Sequence, residues 1–268
     1  MSILGKITRR TFVIGSAAIT SGVLFGVYKY KQPYPNPLEK NLAQGETALT
    51  PYVLINANGV TIIAPRAEMG QGVKTTLAAL VAEELDIDVQ NVRIEHGVPS
   101  NAYYNAAVLE EGVPFPPQDT SSTAQMARDF MHVPAKFFGV QVTGGSSSTV
   151  DAFEKMRMAG ATAREALLLA ASAKLNVAKN TLSTDNGEVI SKDGQRIAYT
   201  ELASLAASVE LPDDVKLKPK SEWKQLGRPI PRVDMVEKCT GTATFGIDVL
   251  QKDMLYATIK VNPHLGAK

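Results

Sequence analysis

The feature that most constrains this chain is a pair of glycine turns, each set directly ahead of a long helical pattern. The first, Glu68-Met69-Gly70-Gln71-Gly72, stands between a strand-like run, VTIIAP, and a helical run, VKTTLAALVAEEL. The second lies in TGGSSSTVDAFEKMR (Thr143 to Arg157) and opens a helical pattern from about Val150 to Ala173. Glycine permits backbone conformations closed to other residues and lets a backbone approach a ligand closely. Gln71, between two glycines, offers both donors and an acceptor. Strand, glycine turn, helix and strand (NVRIEHG, Asn91 to Gly97) follow in that order, then a helix and hairpins.

This order predicts a mixed α and β fold, not the regular β-α-β alternation of a doubly wound sheet. Gly70-Gln71-Gly72 runs on into Val73-Lys74-Thr75, so the strict G-x-G-x-x-G of a dinucleotide fold is absent. Asn58-Gly59 and Asn186-Gly187 each divide two apolar runs and predict hairpin turns. YTELASLAASV predicts a short helix. Val98 to about Gln118, with four prolines among aromatics, predicts a long irregular loop of the kind that often carries function. MHVPAKFFGVQV is an apolar run leading into the second glycine turn. LGRPIPRVDMVEKCTGTATFGIDV and MLYATIKV read as an extended entry and at least two strands.

Composition narrows the function classes. With 268 residues, 44% hydrophobic and 21% charged, the chain has a globular core and room for one large or two ordinary domains. A formal net charge of +1 gives no field for nucleic acid. One cysteine, Cys239, excludes an internal disulfide and a CxxC metal site. His96, His132 and His264 lie too far apart for the short spacings of zinc or non-haem iron sites, so a metal would enter on an organic cofactor. Cys239 is expected to be a small buried residue, and His264 a surface or partner contact.

Residues 1–30 read as an export segment. TRRTFVIG (Thr8 to Gly15) places Arg9 and Arg10 before a weakly apolar run to about Tyr28, diluted by Ser16, Thr20, Ser21, Gly22 and Gly26. That is a twin-arginine pattern. It falls short of the roughly 20 strongly apolar residues of a spanning helix. An ordinary buried or amphipathic N-terminal helix is the alternative. No clear A-x-A site follows, so the segment is expected to remain as an inner-membrane anchor or to deliver the protein to the periplasm. KQPYPNPLEK lies within a linker, residues 31–50.

The first amides of a helix have no intrahelical partner, and the helix dipole there favours negative charge. Gly144 and Gly145 followed by Ser146, Ser147, Ser148 and Thr149 therefore suit a phosphate or another anion. The alternative is a capping box, Ser148 with Asp151 or Asp151 with Glu154. For the first turn the alternative is a tight turn with Gln71 in solvent. Two such turns in one chain suggest one large anionic cofactor touched at more than one place.

APRAEMGQGVKTTLAALVAEELDIDVQNVRIEHG, followed by GGSSSTVDAFEKMRMAGATAREALLLAA, resembles the large subunit of the molybdenum hydroxylases, the family of xanthine dehydrogenase and aldehyde oxidase. The branch resembled is the isoquinoline 1-oxidoreductase β-subunit type. The resemblance implies an α+β fold, with part of a molybdopterin-binding domain at 51–218 and the start of a hammerhead α/β domain at 219–268. It implies that Gly70, Gln71 and Gly72 line a molybdopterin, and that Gly144, Gly145, Ser146, Ser147, Ser148 and Thr149 cradle its pyrophosphate. The cofactor implied is molybdopterin with molybdenum, in the cytosine dinucleotide form.

The reaction implied is oxidation of an aldehyde or N-heteroaromatic carbon with water as the oxygen source. Electrons would pass to a 2Fe-2S small subunit. The family's base, a glutamate in a Gly-x-Gly-Glu segment, has no counterpart here. Gly45-Glu46 and Gly187-Glu188 are the only Gly-Glu pairs, and Glu68, Glu83 and Glu84 belong to the first turn and its helix. The Gly-Gly-x-Phe-Gly-Gly segment is absent as well. The expectation is therefore an N-terminal portion that is inactive alone, its remainder supplied by another chain or lost. The 98–118 loop is expected to supply part of the wall of the substrate pocket. An exported, non-catalytic anion-binding or scaffold protein is the alternative reading.

Overall fold

In the computed structural model the described residues are 28 and 30–266, so the twin-arginine segment lies outside them. They divide into two compact units, one reaching Ile230 and one beginning at Pro231. In the first unit β1 (Thr47–Thr50), β2 (Val53–Asn56), β3 (Gly59–Ile63) and β4 (Arg93–Glu95) form a four-stranded sheet in sequence order. The first three strands pair antiparallel, while β4 pairs parallel to β3. That parallel pairing requires a crossover, which α1 (Val73–Glu84) provides. The site sits on this crossover, because the EMGQG turn is the junction between β3 and α1.

The hairpin of β2 and β3 forms as expected, with its loop at Ala57-Asn58. Gly59 has become the first residue of β3, opposite Asn56. The Asn56 side chain accepts from the Asn58 amide and closes the loop one residue earlier than the Asn58-Gly59 pair suggests. The second hairpin joins β5 (Leu182–Asp185) and β6 (Glu188–Ser191) through Asn186 and Gly187, both at positive φ as a twisted two-residue turn demands. β7 (Arg196–Ala198) completes a separate three-stranded antiparallel sheet.

The unit also holds α2 (Ser122–Phe138), α3 (Ser147–Leu175) and α4 (Tyr199–Ala206) among its described residues. The α2 helix is not legible in the apolar run around it because Pro134 interrupts the pattern, yet the helix continues through it. The 98–118 loop carries two 3-10 turns, Asn101–Tyr103 and Ala107–Gly112, and buries Tyr103 and Asn105. Mixed helices and sheets make the fold α+β.

Helix α1 packs against α3 and β3. From Leu77 to Leu85 it is buried on every side, which explains why its sequence lacks a clean polar stripe. Gly160 of α3 allows the close approach: a Cβ there would stand 2.5 Å from the Val81 carbonyl oxygen. Two consecutive carboxylates at the end of α1 are fully buried and fully engaged. Glu83 accepts from the backbone amides of Lys224, Gln225 and Leu226 at 2.7 to 3.1 Å. Glu84 binds Arg157 at 2.6 Å and Arg164 at 3.3 Å, and accepts from the Lys218 amide at 3.0 Å. Neither glutamate is free to act as a base.

In the second unit the expected strands do not form. Among its described residues there are α5 (Met235–Thr240) and a 3-10 turn at Gly246–Asp248, and Met254 to Val261 has no strand pairing. Strands need partners, and this short unit offers none. Cys239 corrects a second expectation: it is exposed, on a six-residue helix that buries no residue. His264 is on the surface, as expected.

Candidate cofactor site

The two glycine turns meet. Thr143 Oγ1 accepts from the Ala67 amide at 2.9 Å and ties the segment before the first turn to the segment before the second. Between them lies a cavity of about 370 Å³. Met69, Gln71, Val73 and Thr76 line it from the first turn and α1, and Thr143, Gly144, Ser146, Ser148 and Thr149 from the second.

The first turn is held by its own side chains. Glu68 Oε1 accepts from the amides of Gly70 and Gly72 at 2.8 and 3.1 Å, and Oε2 from Lys74 at 3.0 Å. Gln71 Oε1 accepts from the Met69 amide at 2.6 Å, and Gln71 Nε2 donates to the Ala67 carbonyl at 2.9 Å. Gly70 and Gly72 have φ of 103° and 84° and open space where a Cβ would stand. The amides that would attract an anion at the N-terminus of α1 are thus already served by a carboxylate. Gln71 reaches the cavity with one amide hydrogen and one lone pair beyond these two bonds.

The second turn is built differently. Gly145 and Ser146 have φ of 57° and 54°, and the N-cap Ser146 makes no side-chain capping bond. A Cβ on Gly145 would stand 2.6 Å from Glu111 Oε1, the end of a flexible exposed side chain, so it is the positive φ that favours glycine there. Ser147 is buried; its Oγ donates to the Gly144 carbonyl at 2.7 Å and accepts from Asn105 Nδ2 at 2.8 Å. The hydroxyls of Ser148 and Thr149 have no hydrogen-bond partner among the described residues and face the cavity.

No capping box forms, because Asp151 turns inward instead. Its carboxylate binds Arg66 at 2.9 Å and Lys155 at 2.6 Å, and accepts from the Ala106 amide at 2.7 Å. Arg66 also donates to the carbonyls of Pro65 and Tyr103, at 2.8 and 2.9 Å. Burial lowers the Lys155 ammonium pKa, an effect that Asp151 opposes. Arg66 and Lys155 thus hold the Asp151 carboxylate away from the N-terminus of α3, where the helix dipole remains, while the Glu111 carboxylate stands beside Gly145 on the other side of the turn.

A second cavity, about 690 Å³, lies on the other side of the same turn. Gly145, Ser146 and Ser147 line it together with Ala107, Glu110, Glu111, Phe115 and Pro117 from the 98–118 loop and Arg128 from α2. Ser146 lines both cavities. Glu110 is bound to His132 Nε2 at 2.6 Å. The loop therefore lines a cavity, although its acidic pair does not stand out in the sequence. Among the described residues no group of three or more His, Cys, Asp and Glu could hold a metal ion.

The comparisons with known proteins fit this geometry. Residues 12–107, which include the first turn, match the molybdopterin cofactor-binding domain. The chain is similar to proteins of the molybdenum hydroxylase family. It is 26% identical to the isoquinoline 1-oxidoreductase β-subunit of Brevundimonas diminuta, over 97% of this chain and 34% of that one. It is 27% identical to a nicotinate dehydrogenase component of Pseudomonas putida, over 92% of this chain and 18% of that one. A membrane-bound aldehyde dehydrogenase of Gluconacetobacter polyoxogenes, whose name specifies pyrroloquinoline quinone, is 27% identical over 96% of this chain and 30% of its own. The chain thus spans about a third or less of the length of these relatives.

The residues present fit a molybdopterin. The pocket offers an uncapped helix N-terminus, unpartnered hydroxyls at Ser148 and Thr149, and glycines where backbone must come close. This is a donor set for phosphate oxygens and not for a bare metal ion.

Proposed function

We propose that this chain holds the molybdenum cofactor of an oxidoreductase acting on an aldehyde or an N-heteroaromatic carbon, with water as the source of oxygen. The observation that carries this reading is the convergence of both glycine turns on one cavity at the uncapped N-terminus of α3. When bound, the cofactor would supply the two-electron oxidation. The chain's own residues supply the binding. Ser148, Thr149 and the first amides of α3 hold phosphate oxygens, Gln71 donates to the pterin, and Gly70 and Gly72 keep the approach clear. Glu68, Ser147 and Asp151 hold the two turns in place.

The cytosine dinucleotide form is favoured by the second cavity. It adjoins the first at Ser146, and its Glu110 and Glu111 carboxylates suit an exocyclic amino group, with Phe115 available to stack. A 2Fe-2S protein would take the electrons. The base is expected on polypeptide outside this chain, because Glu68, Glu83 and Glu84 are engaged as described, so the chain by itself is expected to be inactive. Export by the twin-arginine route, to the periplasm or to the periplasmic face of the inner membrane, completes the proposal.

Purification from the protein's own cells, with metal analysis and acid release of pterin and nucleotide, tests the core of this reading. Molybdenum, pterin and cytidine monophosphate in equal amounts are expected. Protein free of pterin would refute the assignment, and pterin without a nucleotide would refute the dinucleotide form. For export, changing Arg9 and Arg10 together to Lys should retain the protein in the cytoplasm in cell fractionation, and unchanged localisation would refute it.

A further inference from the structure

Helix α2 presents its larger apolar side chains to the outside. Its fully buried residues are small, Ala124 and Ala135, and only Met131 among its larger apolar residues turns inward, toward Gly112, beside the His132–Glu110 bond. Met126, Phe130, Val133 and Phe137, at spacings of four, three and four, fall on one stripe of the helix. They are 71%, 72%, 41% and 78% exposed. Phe138, beside them, is 72% exposed and meets the Phe137 ring edge to face at 5.2 Å. A contiguous aromatic stripe of this kind marks an interaction surface.

We propose that this stripe docks on polypeptide corresponding to the part of the relatives' chains that lies outside their match to this one, whether joined to this chain or separate. The inference rests on the functional reading above and adds to it the surface and the partner. Nearly all of this chain aligns with the isoquinoline relative, but only 34% of that relative is accounted for. A surface in the shared part that carries Phe and Met outward is what additional polypeptide would cover. The polar residues beside the stripe are Gln125, Asp129 and Lys136, of mixed character. An anionic lipid surface would select an excess of Lys and Arg there instead. The opposite side of α2 supplies Arg128 to the larger cavity, so a partner seated on this helix would stand beside the cofactor site.

The test is photo-cross-linking in the protein's own cells, with p-benzoylphenylalanine at Phe130 or Phe137 of the full chain and at exposed Glu39 as the control. The expected result is a cross-link at least about tenfold above the control, to peptides that align with the relatives outside the matched region. Cross-links to a second copy of this chain, to lipid, or to nothing above the control would each overturn the proposal. F137D, combined with the probe at Phe130, should remove the cross-link while leaving the circular dichroism spectrum unchanged. Retention of the cross-link would also overturn it. Pterin measured in the same preparations separates the two readings: pterin present without a cross-link overturns the docking surface alone, whereas a cross-link without pterin overturns the cofactor assignment.

Discussion

The N-termini of α1 and α3 face one cavity but answer the same physical problem in opposite ways. Each begins after a glycine turn, and each must satisfy amides that have no partner within the helix. At α1, Glu68 does so from within the chain, bridging the amides of Gly70, Gly72 and Lys74. At α3 the N-cap Ser146 makes no side-chain capping bond; among the described residues the hydroxyls of Ser148 and Thr149 stand open, and Asp151, the nearest carboxylate along the helix, is drawn inward by Arg66 and Lys155. The lesson is that a glycine turn before a helix is not itself an anion site. What makes one is where the neighbouring carboxylate has gone.

The comparison can be broken most severely at Asp151. D151A leaves Arg66 buried without its counter-charge and should cost about 3–5 kcal/mol, read by urea denaturation. A loss below about 1 kcal/mol would mean that the inward carboxylate does not hold the α3 turn. At α1, E68A removes the acceptor of three amides and should cost about 1–2 kcal/mol by the same measurement. It should also give the α1 end a new affinity for inorganic phosphate by calorimetry, and an unchanged titration would show that those amides were never anion-competent.

S148A combined with T149A sharpens the contrast. Stability should change by less than about 0.5 kcal/mol, while pterin retained through purification falls about tenfold. If stability fell and pterin stayed, the hydroxyls would be structural and the roles of the two helix ends reversed. The smallest effect on cofactor retention is expected from Q71A. Its internal bonds are exposed, so stability should fall by about 0.5–1 kcal/mol, with a decrease in molybdenum content by metal analysis. Unchanged molybdenum would remove Gln71 from the site.

Much of this is legible in the sequence because it depends on local chemistry. The β3 strand, α1, α3 and both hairpins follow from short-range patterns and from glycine or asparagine where positive φ is needed. The convergence of the two turns is suggested only by their similarity, since the Thr143 bond that joins them spans distant residues. The roles of Glu68 and Asp151 are hidden, because a carboxylate before or inside a helix reads equally as a cap, a surface charge or a buried partner. The α2 helix is obscured by Pro134 and by an apolar face that points away from its own unit. The strands expected after Pro231 show the converse limit: β-rich composition yields a strand only where another strand is present to pair with it.

The buried end of α1 has a consequence for the timing of motion in the molecule. Residues 216–226 have little regular structure beyond one turn at Lys220–Glu222. Yet Glu83 receives three of their successive amides, and Glu84 the amide of Lys218. Lifting this segment would at once strip Glu83 of three amide donors and Glu84 of one. In hydrogen–deuterium exchange it should therefore behave as core, its amides among the last to open, as a rivet driven through the far end of the helix whose other end forms one wall of the cofactor cavity.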